Sequence, residues 1–290
     1  MTGFAREWLK LREGADLAAR DPGLARRFAA SLRREPDRAL HLVDLGAGTG
    51  ANCRALMPRL GGDQDWLLVD IDADLVAAQL DAMTFWARRQ GYPIQAGGGH
   101  IRISAGSARW HIAGRVLDLA RDWEALEAIP ADGVTASALF DLVSAAWLAR
   151  FADWLERHRL PLLAVLTVDG RRCWDPPLAQ DEAAAAGFQR HQGGDKGFGP
   201  ALGGNAPQIL AQALAARGFA IDEAASDWHL DARDRALLDE LLGGEAQAAS
   251  AALPQDRETL AAWETRRREL LKDGRLKLIV GHRDVLALPG

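Results

Sequence analysis

His41-Leu42-Val43-Asp44-Leu45-Gly46-Ala47-Gly48-Thr49-Gly50 is the stretch whose reading decides the fold. A short apolar run reaches an acid and then a glycine-rich loop, and a helix-like segment follows from Ala51 to about Leu60. Strand, glycine turn and helix in that order make a place where backbone can approach a ligand. Glycine has no Cβ to hold the ligand off, and a helix N-terminus offers free N–H groups.

The alternation continues on the C-terminal side. Residues 66–70 read as a second strand ending at Asp70, and Asp72 is placed to cap a helix running through Leu75, Val76, Ala78 and Leu80 towards Arg89. The glycine-rich stretch 91–103 has room for an extra hairpin. Residues 110–117 read as the third strand, ending at Asp118-Leu119. A short helix over 123–129 leads to a fourth strand at 133–137. A long helix is expected over 139–159, and the fifth strand over 161–168. Strands alternating with helices at this spacing predict right-handed crossovers and a parallel sheet, an α/β fold.

Four segments divide the chain, expected to form a single domain. Residues 1–38 form an N-terminal helical cap: Phe4, Trp8, Leu9 and Leu11 make one apolar stripe and Leu17, Leu24, Phe28 and Leu32 another, with Asp21-Pro22-Gly23 between them. Residues 39–169 are the ligand-binding core. Residues 170–206, rich in glycine and proline, read as an irregular acceptor-side loop or lid. Residues 207–290 hold a C-terminal helix ending at Gly218 and a strand pair (219–229 and 275–288). A helical insertion over 231–273 separates the pair, broken near Gly243-Gly244 and Pro254.

Composition narrows the function. A chain of 290 residues, 48% hydrophobic and 26% charged, has the make-up of a globular α/β protein. A net charge of −5 weighs against nucleic acid as the partner. Cys53 and Cys173 are the only cysteines, without the paired spacing of a zinc site, so no metal is expected. No apolar run approaches the ~20 residues of a membrane span, and the N-terminus lacks the apolar core of a signal peptide. A cytoplasmic protein with no membrane partner is expected.

Gly46-Ala47-Gly48-Thr49-Gly50-Ala51 satisfies the loose G-x-G-x-x-A dinucleotide fingerprint, with Asp70 suitably spaced for a ribose. Asp44 argues the other way. In a dinucleotide site the helix N-terminus faces a pyrophosphate, beside which a carboxylate is unwelcome. It suits instead a ligand with a cationic amino group and a sulfonium.

Residues 43–50, with the acids that follow, resemble the first motif of the class I S-adenosylmethionine-dependent methyltransferases, and the likeness in element order covers most of the chain. The resemblance implies a Rossmann-like, doubly wound, mostly parallel sheet with an antiparallel C-terminal strand, plus helical cap and insertions. It implies S-adenosylmethionine as cofactor and S-adenosylhomocysteine as product. By position, Gly46, Ala47, Gly48 and Gly50 would line the methionine part and Asp44 would engage its amino group. Asp70, with Ile71 beside it, would take the ribose hydroxyls, since an ionised carboxylate accepts two hydrogen bonds. Asp118 would accept from the adenine amino group, the Leu119 N–H would donate to the ring, and Ser137 would lie near the sulfonium. Asp118 has the structural alternative of a surface ion pair with nearby arginines.

The acceptor side is read from the residues alone. His191-Gln192-Gly193-Gly194-Asp195-Lys196-Gly197-Phe198-Gly199-Pro200 gathers an imidazole, an acid, an amine and an aromatic among glycines, which makes His191, Asp195 and Lys196 the candidate catalytic residues. Trp147, Trp174 and Trp228 could wall an acceptor pocket or belong to the core, and His229 and His282 read as structural. Asp175-Pro176-Pro177-Leu178 is read as a turn. The expected activity is methyl transfer to a small-molecule acceptor. The alternatives are an NAD(P)-dependent oxidoreductase using the same loop and a catalytically silent S-adenosylmethionine-binding regulatory protein. Within the favoured class, an RNA or protein methyltransferase would use basic residues around Arg171-Arg172 or Arg266-Arg267-Arg268.

Overall fold

β1 (Leu40–Leu45), mostly apolar and buried, lies at the centre of the sheet and pairs in parallel on both edges, with β2 (Gln64–Asp70) and β6 (Gly133–Ser137). The computed structural model describes residues 6–32, 35 and 38–290; Phe4 of the expected N-terminal stripe lies outside them. From β1 the sheet grows outward through β5 (Ala108–Val116) beyond β2 and β7 (Leu162–Asp175) beyond β6. β10 (Lys277–Pro289) adds antiparallel to β7, and β8 (Phe219–Ala225) closes that edge. The hairpin β3 (Ile94–Gly97) and β4 (His100–Ala105) extends the other edge, giving the order β3-β4-β5-β2-β1-β6-β7-β10-β8. Strand direction of growth therefore reverses between β1 and β6, the position where open α/β sheets leave a crevice for ligands.

Alternate side chains of the strands feed opposite cores. Val43, Leu45, Val134 and Ala136 pack with α5 (Trp123–Glu127), α6 (Ala145–His158) and α8 (Ala206–Ala215). Leu40, Leu42, Trp66 and Leu68 pack with α2 (Pro22–Ser31), α3 (Ala51–Leu60) and α4 (Ala73–Arg89). The doubly wound, mostly parallel sheet is thus the one the sequence predicts. Asp72 caps α4 as expected, its Oδ1 accepting from the N–H groups of Asp74 (2.9 Å) and Leu75 (3.3 Å). α1 (Arg6–Ala19) and α2 meet at Arg20-Asp21, where Asp21 caps α2. Among the described residues no helix is long and apolar enough to cross a membrane.

The expectations fail where tertiary pairing overrides local composition. The helix expected over 139–159 begins only at Ala145: Ala138 turns the chain with φ 52°, residues 139–143 send Leu139, Phe140 and Val143 into the core, and Ser144 caps the helix. The segment 170–206 is not an irregular lid. β7 continues through it to Asp175, paired with β10, and α7 (Asp181–Gln192) follows, carried by an alanine run of high helix propensity. Asp175-Pro176, a cis peptide bond, begins the expected turn. The strand expected over 219–229 divides: β8 ends at Ala225, and β9 (Trp228–Leu230) pairs further along the same edge of β10. Gly243-Gly244 does not break the insertion, since α9 (Arg235–Ala252) runs through both; Pro254 does, and α10 (Arg257–Lys272) follows.

The far ends of β7 and β10 form a ribbon that carries a third apolar cluster. Trp174, Trp228, Leu278 and Val280 pack there against α7, α9 and α10, with Trp8 and Leu11 of α1 at its margin. This places α1 between the ribbon and the carboxyl ends of the central strands.

Candidate active site

Asp44 is fully buried inside β1, where it depends on the hydrogen-bond donors around it. Its Oδ1 accepts from Asn52 Nδ2 (2.5 Å), in the first turn of α3, and from Thr135 Oγ1 (2.8 Å), its register partner on β6. Its Oδ2 is buried with no hydrogen-bond partner among the described residues. Burial pushes the carboxyl up to about 6, opposed by the bonds from Asn52 and Thr135 and by the charge of Arg20.

The loop after β1 is held by its backbone. Ala47 N–H donates to Val69 O (2.9 Å) and Gly50 N–H to Ala47 O (2.8 Å). Gly48 and Gly50 have φ of 53° and 81°, a region that side chains resist. A Cβ on Gly48 would stand 3.0 Å from the Leu9 side chain of α1, and one on Gly50 would stand 2.9 Å from Met83 Cε. Gln79 on α4 donates to Gly48 O (3.0 Å), while Gly48 N–H donates to Asp70 Oδ2 (2.8 Å). Asp70 Oδ1 accepts from Asp72 N–H (3.0 Å). Each carboxylate oxygen has capacity for a second donor, so both remain able to receive hydroxyls. Ile71, next in the chain, is exposed.

Asp118 is already engaged locally. Its Oδ1 accepts from Ala120 N–H (2.9 Å), and Arg121 Nε lies 3.7 Å from its Oδ2. Leu119 is buried, and its carbonyl accepts from Trp147 Nε1 (2.6 Å). Ser137, at the end of β6, accepts from Arg20 Nη2 (3.2 Å). One polar network at the sheet's switch point therefore joins Asp44 to Ser137 through Asn52 and Arg20, and a separate bond beside it joins Gly48 to Asp70. Arg20, Asn52 and Thr135 belong to it and were not expected. The register of β6 against β1 could have suggested Thr135; nothing local marks the other two.

The acceptor-side residues sit apart from that network. His191 is largely exposed in the last turn of α7, its imidazole pKa lowered by the partial desolvation of the ring and by the charge of Lys196. Lys196 Nζ donates to His191 O (3.3 Å), and Asp195 Oδ1 accepts from the N–H groups of Gly197 (2.7 Å) and Gly199 (2.9 Å). The three are close together, but the carboxylate shapes a turn. That turn docks beside the end of β6: Phe198 meets Trp147 edge-on at 5.4 Å, and the N–H groups of Leu202 and Gly203 donate to Val143 O and Asp141 O, both at 2.9 Å. Asp141 has a buried Oδ1 with no partner among the described residues, and burial raises its carboxyl to about 6.

Trp147, Trp174 and Trp228 are core residues, each buried and each donating its ring N–H to a protein acceptor. His282 is buried, with Nδ1 3.0 Å from Val280 O, and burial lowers it to about 4; His229 is exposed on β9. The basic stretches are neutralised by neighbours. Arg171 pairs with Asp169 and Asp227, Arg172 with Glu245, Arg266 with Glu269, Arg267 with Asp181, and Arg268 with Asp239 and Glu264. Among the described residues no group of three or more His, Cys, Asp or Glu is placed to hold a metal ion.

No family model matches the sequence, and no curated protein matches it. Solved structures do. A cyclopropane-fatty-acyl-phospholipid synthase-like protein from Lactobacillus casei is 13% identical with a TM-score of 0.50, covering 98% of this chain and 94% of that one. The cyclopropane synthase MmaA2 from Mycobacterium tuberculosis is 14% identical, TM-score 0.46, covering 91% and 83%. A methyltransferase from Geobacter sulfurreducens, solved with S-adenosyl-L-homocysteine, is 14% identical, TM-score 0.43, covering 100% of both chains. At such identities the likeness is one of fold alone, a Rossmann-like, doubly wound sheet.

Proposed function

We propose that this protein transfers the methyl group of S-adenosylmethionine to a small-molecule acceptor and releases S-adenosylhomocysteine. The observation that carries the reading is Asp44: a buried carboxylate with one oxygen unpartnered, at the switch point beside a tight glycine loop. A fully buried oxygen left without a donor calls for a ligand that supplies one, and a cationic amino group does so. A pyrophosphate would place negative charge beside it, which disfavours the nicotinamide alternative.

The residues present fit the donor. Asp44 would receive the ammonium, the backbone of Gly46–Gly50 would lie along the amino-acid end, and Asp70 would accept the ribose hydroxyls. Asp118 and Leu119 would flank the base, with Asp118 giving up part of its local turn bonding. When bound, the donor supplies an electrophilic methyl on a sulfonium. The protein's task is then to position the acceptor and exclude water.

On the acceptor side, His191, Asp195 and Lys196 shape and flank the turn that meets the end of β6. Asp141 is added to them: its unpartnered oxygen and raised carboxyl suit a group that takes a proton from an acceptor which must lose one. A small molecule is favoured over RNA because the arginine stretches are already paired with acids.

Calorimetric titration tests the donor. Binding of S-adenosylhomocysteine with no binding of NAD is expected, and the reverse result sinks the proposal. The silent regulatory alternative predicts tight donor binding with no S-adenosylhomocysteine formed across a panel of small amines, alcohols, thiols and carbon acids.

A further inference from the structure

Arg20 stands at the elbow between α1 and α2, and its guanidinium is spent on neutral partners. Nη1 donates to Asn52 Oδ1 (2.5 Å) and Nη2 to Ser137 Oγ (3.2 Å). Among the described residues it makes no ion pair, although Asp16, Asp284 and Asp44 act on it through space and Arg12 opposes them. A guanidinium taken partly out of water normally meets a carboxylate or phosphate.

Asn52 links it to the other unfinished group of the site. The same carboxamide that accepts from Arg20 donates to Asp44 Oδ1, while Asp44 Oδ2 stays unpartnered. One cation and one anion are thus held on the two ends of a single amide. They lie where β1 and β6 part, beside the glycine loop. An α-amino acid end carries its ammonium and carboxylate on one carbon, the complementary arrangement of charge.

Resting on the methyl-donor reading above, we infer that Arg20 is the anchor for the carboxylate of the donor's amino-acid end, with Asp44 taking the ammonium beside it. The α1–α2 elbow then belongs to the cofactor site. The elbow is itself held in place: Asp21 N–H, next to Arg20, is fixed to Asp284 Oδ2 (2.9 Å), and Glu13 on α1 is paired with Arg54 of α3 (2.7 Å).

The test compares two ligands that differ only at the end in question. S-adenosylhomocysteine carries the amino acid; 5′-methylthioadenosine ends in a methyl thioether. Both are titrated into the wild-type protein, Arg20→Met and Arg20→Lys. Wild type is expected to prefer S-adenosylhomocysteine. Arg20→Met should weaken it roughly tenfold to hundredfold, the usual worth of a charge-assisted bond, and change 5′-methylthioadenosine by less than about twofold. Arg20→Lys should fall between. Retained 5′-methylthioadenosine binding also certifies that the variant is folded.

Equal weakening of both ligands by Arg20→Met would make the residue structural and overturn the inference. Unchanged S-adenosylhomocysteine binding would overturn it as well. If wild type bound both ligands equally, the donor reading would survive and the anchor would not. If wild type bound neither, the donor reading would fall and the anchor with it.

Discussion

The corner where β1 turns into α3 and the cap carried on the β7–β10 ribbon both bury charge, and they treat it in opposite ways. In the cap each buried cation meets an acid. Arg267, with its side chain wholly inaccessible, is bonded to Asp181 and to Pro176 O, and Arg172 is paired with Glu245 at 2.8 Å. Arg172 Nη2 and Arg267 Nε have no hydrogen-bond partner among the described residues, but each guanidinium has its carboxylate and lies over a ring, Arg172 over Phe188 and Arg267 over Trp174. At the corner, Asp44 keeps an unpartnered oxygen and Arg20 is hydrogen-bonded only to neutral groups. A buried charge that meets its counter-ion is architecture; a buried charge without one costs stability and is the kind a ligand can complete.

The largest effect that can break this contrast lies in the cap. Asp181→Ala removes the carboxylate of Arg267 and the acceptor of Trp263 Nε1 (2.7 Å), leaving a guanidinium buried without its anion. Unfolding in urea should show a loss of about 3 kcal/mol, with S-adenosylhomocysteine affinity within about twofold of wild type. A parallel loss of affinity would mean the cap is part of the cofactor site.

Asp44→Asn should do the converse. Affinity for S-adenosylhomocysteine is expected to fall about a hundredfold, because the ammonium loses a buried anionic partner. Stability moves the other way, by a sign fixed by the raised carboxyl. Its folded value of about 6 lies above the ordinary carboxylate range, so the folded state holds the proton more tightly than the unfolded chain. The contribution is present below the ordinary range and lost as pH rises through about 6. At pH 7.5 the ionised Asp44 is therefore a burden that asparagine lifts, and the variant should be more stable by about 1 kcal/mol. A less stable variant would show Asp44 to be structural after all.

The same contrast explains what the sequence could disclose. The corner is local: β1, its loop and α3 lie within residues 40–60, and strand, glycines and helix follow one another without interruption. Asp72 announced itself as a cap because both N–H groups it accepts lie within three residues. The cap is non-local. Residues 170–175 form a strand because β10, a hundred residues on, pairs with them, and Arg171-Arg172 gives no hint of that in its polarity. Gly243-Gly244 looked like a break, but packing among α7, α9 and α10 keeps α9 continuous. Arg20 and Asn52 stayed hidden for the same reason: their bond joins residues 32 positions apart. Trp147 was legible as an aromatic near the site; that its ring N–H is used by Leu119 O required the fold.

Acidity should sharpen the contrast by a smaller step. If Asp44 receives the donor's ammonium, as proposed, it must be ionised to do so; the charged groups acting on that carboxylate are Arg20, which favours the charge, and Asp70, which opposes it. Affinity for S-adenosylhomocysteine should be flat above about pH 7 and fall by about tenfold per unit well below pH 6. Urea stability, from the same group, should rise over that interval. Affinity that does not change between pH 7 and 5 would remove Asp44 from the binding site.

The smallest effect decides to which region the turn at 193–202 belongs. Asp195 is exposed, and its Oδ1 shapes the turn by accepting from Gly197 and Gly199. Exposed hydrogen bonds of this kind contribute about 1 kcal/mol or less, so Asp195→Ala should barely move the urea midpoint. The turn meets Trp147 through Phe198 and lies against Ser144 through Gly199, on the β6 side of the sheet rather than on the glycine loop. Donor affinity should therefore be unchanged while KM for the acceptor rises. A fall in S-adenosylhomocysteine affinity instead would join the turn to the cradle. An unchanged acceptor KM would return it to the architecture of the cap, with Asp141 left as the acceptor-side carboxylate.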